Sequence, residues 1–277
     1  MDSTLDALEK TVAFINTGGI LGVRNDIEFG RQGDVSLTLD AYTPPGPGPF
    51  PAVVIVHGGG WVAGNKQTYV RPLFEPLSHA GLAWFSVNYR LAPAYPFPAA
   101  ADDVSQAVEY VRSHAAEYRV DPRRIAILGE SAGGHLVSYV GARNPGVAAV
   151  VSFYGVHDFE ARERGLGKVS DNTKALLGVS DFSDAAVKRM REASPAAYVK
   201  RQMPPFLMIH GTKDQAVPYD QSVKMCEKMR DAGASCELFT VEGAGHGVEN
   251  WERTPEFHAY KGKMVDWLQR TLRNAAP

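Results

Sequence analysis

The chain has 277 residues, enough for one sizeable core, and its 44% hydrophobic content belongs to an ordinary globular protein. With 29 basic against 31 acidic residues, a formal charge of -2, it has no basic field to draw nucleic acid and no acidic tail. No apolar stretch approaches the roughly 18 residues that span a bilayer, so a membrane span is excluded.

The N-terminus, MDSTLDALEK, lacks the basic region and apolar core of a signal peptide. A soluble protein is expected, cytoplasmic if Met1 is the native start and secreted if a signal has been removed. Residues 26 to 42 alternate apolar and polar about a glycine turn, which predicts an antiparallel hairpin, and TPPGPGPFP then breaks regular structure. From there, short apolar runs at 51–57, 82–89, 124–130, 147–155, 205–211 and 236–243 read as strands buried on both faces. Helical patterns at 68–80, 98–118, 132–143, 219–232 and 254–273 lie between them. In the second, Val104, Ala107, Val108, Val111 and Ala115 recur at helical spacing behind Pro98 and two acids. The alternation predicts an α/β fold: a mostly parallel central sheet, an antiparallel N-terminal hairpin at its edge and helices on both faces. One domain over 1–277 is expected. The charged stretch from about 157 to 199 interrupts the rhythm after a strand's C-terminal end, where α/β sheets bind ligands, and reads as a lid insertion. Cys226 and Cys236 have neither metal-ligand spacing nor a disulfide framework, and read as two free thiols in preference to a single bridge between them.

Three stretches carry chemistry. Gly129-Glu130-Ser131-Ala132-Gly133 follows the strand RIAIL and opens a helix, the context a nucleophile elbow requires. Glycines at its flanks permit a turn sharp enough to strain Ser131 and expose its hydroxyl above the sheet. A serine hydroxyl needs a base and the base an orienting acid, in the chain order Ser, acid, His. His246, in the flexible segment EGAGHG after the last strand, is the base. Asp214, after the strand PFLMIHG, is the acid, with Asp158 one strand earlier as its rival. His135, His57 and His210 read as buried supports, and His79, His114 and His258 as surface. His57-Gly-Gly-Gly-Trp61 then finds its use: glycines let backbone N–H groups approach a developing oxyanion, so Gly59, Gly60 and Ala132 are assigned to an oxyanion hole. Trp61, which could equally be a core residue, Glu130 and Tyr89 are substrate-binding candidates, followed by Pro93, Phe97, Phe159 and Phe182. The constellation calls for no metal and no organic cofactor.

With HGGGW, NYRLAP (88–93), GESAGGHL (129–136), GTKDQAVP and GAGHG in order, the chain resembles α/β-hydrolase carboxylesterases of the hormone-sensitive lipase type over roughly 26–273. SAGGHL, ASPAAYV and the short N-terminus are most similar to bacterial bifunctional acetylxylan and feruloyl esterases. The resemblance implies the α/β-hydrolase fold and a serine carboxylesterase working through an acyl-enzyme. Its implied partners are acetyl or feruloyl esters of plant carbohydrates, or other small short-acyl or aryl esters. One departure is that only about 25 residues precede the first predicted strand, where many such enzymes carry a longer N-terminal helical cap. Arylformamidases share much of the pattern, which keeps an amide hydrolase as an alternative. A non-catalytic ligand-binding relative, like the gibberellin receptors, is a third reading; those lack the histidine that His246 supplies. The oligomeric state is not legible.

Overall fold

Gly33, at a φ of 59°, and Asp34 close a tight turn between β1 (Arg24–Gln32) and β2 (Val35–Tyr42), the expected hairpin. The computed structural model describes residues 19–144 and 146–275; the N-terminal stretch read for a signal lies outside them. Beyond the hairpin follow β3 (Phe50–Val56), β4 (Ala83–Val87), β5 (Val120–Glu130), β6 (Ala149–Phe153), β7 (Phe206–Gly211) and β8 (Cys236–Val241). The strands order as β1-β2-β4-β3-β5-β6-β7-β8 in one sheet. The β1–β2 and β2–β4 pairs are antiparallel and the rest parallel. This is an α/β-hydrolase fold with the antiparallel edge the sequence predicts.

Neighbouring residues of one strand enter opposite cores, as a two-sided sheet demands. Val54, Val56 and Met208 pack with α2 (Ala99–Ser113), α3 (Ala132–Arg143) and α7 (Asp220–Asp231). Val53, Ile55 and Leu207 pack instead with α1 (Arg71–His79), the short α8 (Val248–Trp251) and α9 (Ala259–Asn274). Helices therefore cover both faces. The chain leaves β3 toward β4 on one side and later enters β5 on the other, so a crevice opens above the C-terminal ends of β3 and β5. The triglycine loop and Ser131 follow those two strands.

Some boundaries shift for local reasons. The helix read at 98–118 ends at Ser113, and Arg119, at a φ of 52°, turns the chain into β5. The strand read at 147–155 stops at Phe153 because Tyr154 adopts a φ of 37°, outside the extended region.

One expectation is overturned. Cys226 and Cys236 are joined in a disulfide, with Cα atoms 5.3 Å apart. The chain doubles back at Gly233, so the inner face of α7 meets the first residue of β8.

Between β6 and β7 stand α4 (Phe159–Gly165), α5 (Asp171–Leu177), α6 (Asp184–Ala193) and a 3₁₀ turn, Pro195–Tyr198. Asp158 caps α4 by accepting the Ala161 N–H at 2.9 Å. Glu163, fully buried, accepts from Ser170 N–H, the Ser170 and Thr173 hydroxyls and Arg162, pinning α4 to α5. Among the described residues no helix is long and apolar enough to cross a membrane.

Candidate active site

Ser131 sits alone between the last residue of β5 and the first of α3, at φ 53° and ψ -115°. The turn is this tight because its flanks lack side chains: a Cβ on Gly133 would stand 2.1 Å from the Val56 carbonyl oxygen, and one on Gly129 would stand 2.4 Å from Gly133 backbone. The strain raises the hydroxyl above the sheet at the N-terminus of a 12-residue helix, where negative charge is favoured.

His246 arrives on the loop after β8. Its Nε2 lies 2.9 Å from Ser131 Oγ and its Nδ1 2.6 Å from Asp214 Oδ2. With the Nδ1 proton donated to the carboxylate, Nε2 is free to accept the serine proton. Asp214 is fixed in turn, its Oδ1 accepting the N–H groups of Ala216 and Val217 at 2.9 Å each. Burial alone would raise its pKa; hydrogen bonds from His210 and His246 and the Val217 N–H outweigh burial and hold the carboxyl well below the usual range. The three residues read from sequence thus meet at one rim of the sheet, and the arrangement can move a proton off Ser131.

Gly59, Gly60 and Ala132 border the same cavity, of about 430 Å³, as do Ser131 and His246. Gly59 and Gly60 take φ values of 96° and 61°, which residues with side chains adopt only under strain. Asn172 of α5 packs onto Gly60 so closely that a Cβ there would meet its Nδ2 at 2.1 Å.

Of the substrate-binding candidates, Trp61 and Glu130 line the cavity. Trp61 is also a core residue, donating its indole N–H to His135 at 3.0 Å and packing on Phe159. Glu130 is buried against Gly58, and its Oε1 has no hydrogen-bond partner among the described residues. Burial pushes its pKa up to about 7, against the opposing pull of His246, the Gly58 N–H and the Tyr154 hydroxyl. Tyr89 does not line the cavity. It lies beneath the triglycine loop, stacked on His57 and donating to the His57 and Gly58 carbonyls, so its hydroxyl is committed to backbone. Pro93, Phe97, Phe159 and Phe182 are likewise outside the lining.

Asp158 is taken up by its helix cap, and His135, His57 and His210 are buried and hydrogen-bonded. Burial lowers His57 and His135 to about 4. Four residues were not legible. Tyr154 packs on the His246 ring and accepts the Val248 N–H at 2.7 Å, steadying the histidine loop. Tyr69, 38% exposed and held at a φ of 65°, stands at the cavity mouth, with Arg162 and Asn172 coming from the insertion. Arg162 lies in EARERG, a charged run that reads as a solvated helix face.

The BD-FAE family model matches residues 39–229 of this chain. LipM of Mycobacterium tuberculosis, described as a probable carboxylic ester hydrolase, is 31% identical over 76% of this chain and 50% of its own. This chain spans about half the length of the curated relatives it matches at that level of identity. A truncated carbohydrate esterase from gut microbiota superposes with a TM-score of 0.75 at 27% identity, covering 91% of this chain and 96% of that one. A thermophilic esterase of Thermogutta terrifontis, Est2, gives 0.72 at 27% identity, covering 89% and 91%.

Proposed function

The chain belongs to the BD-FAE family, among the α/β-hydrolase carboxylesterases of the hormone-sensitive lipase type, and from that premise we propose that it hydrolyses carboxylic esters through an acyl-enzyme on Ser131. The single observation carrying the reading is His246, bonded at 2.9 Å to a strained serine hydroxyl and at 2.6 Å to a buried carboxylate. As His246 takes its proton, Ser131 Oγ attacks the ester carbonyl. The oxyanion receives N–H groups of Gly59, Gly60 and Ala132, which supply charge stabilisation without reorganisation. His246 then returns the proton to the leaving alcohol, and water repeats the sequence on the acyl-enzyme. Asp214 keeps the imidazole oriented throughout. The imidazole must be neutral to accept the serine proton.

The substrates are acetyl or feruloyl esters of plant carbohydrates, or similar short-acyl and aryl esters. Support comes from the carbohydrate esterase among the structural relatives and from the cavity's Asn172, Asn250 and Tyr69, which suit a hydroxyl-rich alcohol better than a long alkyl chain. The residues from about 157 to 199 act as the lid. Parallel assays on p-nitrophenyl acetate, acetylated xylan, methyl ferulate and N-formylkynurenine test both levels. Turnover of the esters is expected, with Ser131→Ala lowering kcat by about 10⁴-fold or more. Undiminished turnover in that variant sinks the mechanism, and a marked preference for formylkynurenine sinks the substrate class.

A further inference from the structure

The insertion bears on the catalytic loops at two points. From α4, Arg162 donates through Nη2 to the Ala216 carbonyl at 2.9 Å. The N–H of the same peptide unit, that of Val217, donates to Asp214 Oδ1 at 2.9 Å, and Asp214 Oδ2 holds His246 Nδ1 at 2.6 Å. A continuous line of hydrogen bonds and one peptide unit therefore runs from the guanidinium to the histidine beside Ser131. At its other end the same guanidinium is anchored within the insertion, Nη1 donating to Glu163 and, at 3.2 Å, to the Ser170 hydroxyl. Glu163 also holds α5, whose Asn172 packs onto Gly60. A planar fork can serve two anchors in different directions at once; an ammonium is a point charge and cannot reproduce both. The side chain is mostly buried, with Nε unpartnered among the described residues, so it is not a freely solvated surface cation.

We propose that Arg162 is a positioning residue for the ester hydrolysis: it holds the 214–217 loop so that Asp214 stays aligned with His246, which makes the insertion part of the catalytic apparatus as well as a wall of the cavity. The inference rests on the Ser131 ester-hydrolase reading.

The test compares Arg162→Ala and Arg162→Lys with Arg164→Ala, a change to a half-exposed arginine of the same helix that pairs with Glu160. The substrate is p-nitrophenyl acetate, which carries a small acyl group. In both Arg162 variants kcat is expected to fall about 10- to 100-fold, the range for a misplaced catalytic group, with KM changed less than about threefold. The low-field proton resonance of the His246–Asp214 hydrogen bond should shift or broaden, while Arg164→Ala stays like the parent in every readout. A rise in KM alone, an unmoved resonance, or equal losses at 162 and 164 overturns the proposal. Should Arg162→Ala fail to fold, the Arg162→Lys resonance decides. A parent protein inactive on all esters defeats the hydrolase reading instead, and the resonance still reports separately on the Arg162 link.

Discussion

Asp158 and Asp214 each follow a buried strand and look alike in sequence; their hydrogen bonds separate them. Asp158 spends its carboxylate on the N–H of Ala161, one turn into α4. Asp214 receives two N–H groups on one oxygen and His246 on the other. Amidation of Asp214 leaves the shape but holds the imidazole in the wrong tautomer, so Asp214→Asn is expected to lower kcat by about 10⁴-fold, the size known for serine protease triads, with KM little changed. Asp158→Ala, by contrast, should leave kcat intact and cost about 1 kcal/mol of stability, the worth of a helix cap. Steady-state kinetics and urea denaturation on the pair check both. Ser131, Asp214 and His246 are legible in the chain because each sits in a local grammar of strand end, glycine and turn. Tyr154, Tyr69 and Arg162 carry no such mark: they reach the site only through where their elements pack.

At the scale of elements, period and punctuation predict the sheet well, since continuous apolar runs have no stable home except between two helical layers. What they miss is pairing across elements. Cys226 and Cys236 are ten residues apart along the chain, and only the register of α7 against β8 makes them neighbours. Closing so short a loop restricts the unfolded chain modestly. Replacing both cysteines by serine should lower the unfolding free energy by about 2–3 kcal/mol on the loop-entropy account, measured against the oxidised parent. Equal stability of the two proteins would mean that α7 and β8 hold their register by packing alone. Element ends are misjudged for a related reason: Arg119, before β5, and Tyr154, after β6, turn the chain with positive φ, which nothing in their side chains advertises.

Across the whole molecule, burial sets how folding responds to acid. Burial lowers His57 and His135 to about 4 and His157 to about 3, the last with neither ring nitrogen hydrogen-bonded among the described residues. Each is neutral when folded and takes up a proton near pH 6.5 when unfolded, so its contribution is present above that pH and lost as pH falls through it. Glu130 acts oppositely, raised from 4.5 to about 7, so its contribution is present in acid and lost as pH rises through 7. Three histidines outweigh one carboxyl, and near pH 5.5 stability should drop by about 2–3 kcal/mol for each unit of acidification, flattening above neutrality. Urea titrations between pH 5 and 8 measure it; a flat profile would mean these histidines are protonated in the native state. The seating of Asn172 on Gly60 and of Arg162 on Ala216 has a further consequence for protein engineering. A chimera whose breakpoints fall at the two feet of the insertion would import half of each contact and leave the other half to its host. Recombination that moves the segments around 57–60 and 212–217 together with the insertion keeps both matched, so these three stretches form one heritable unit, although they are far apart in the gene.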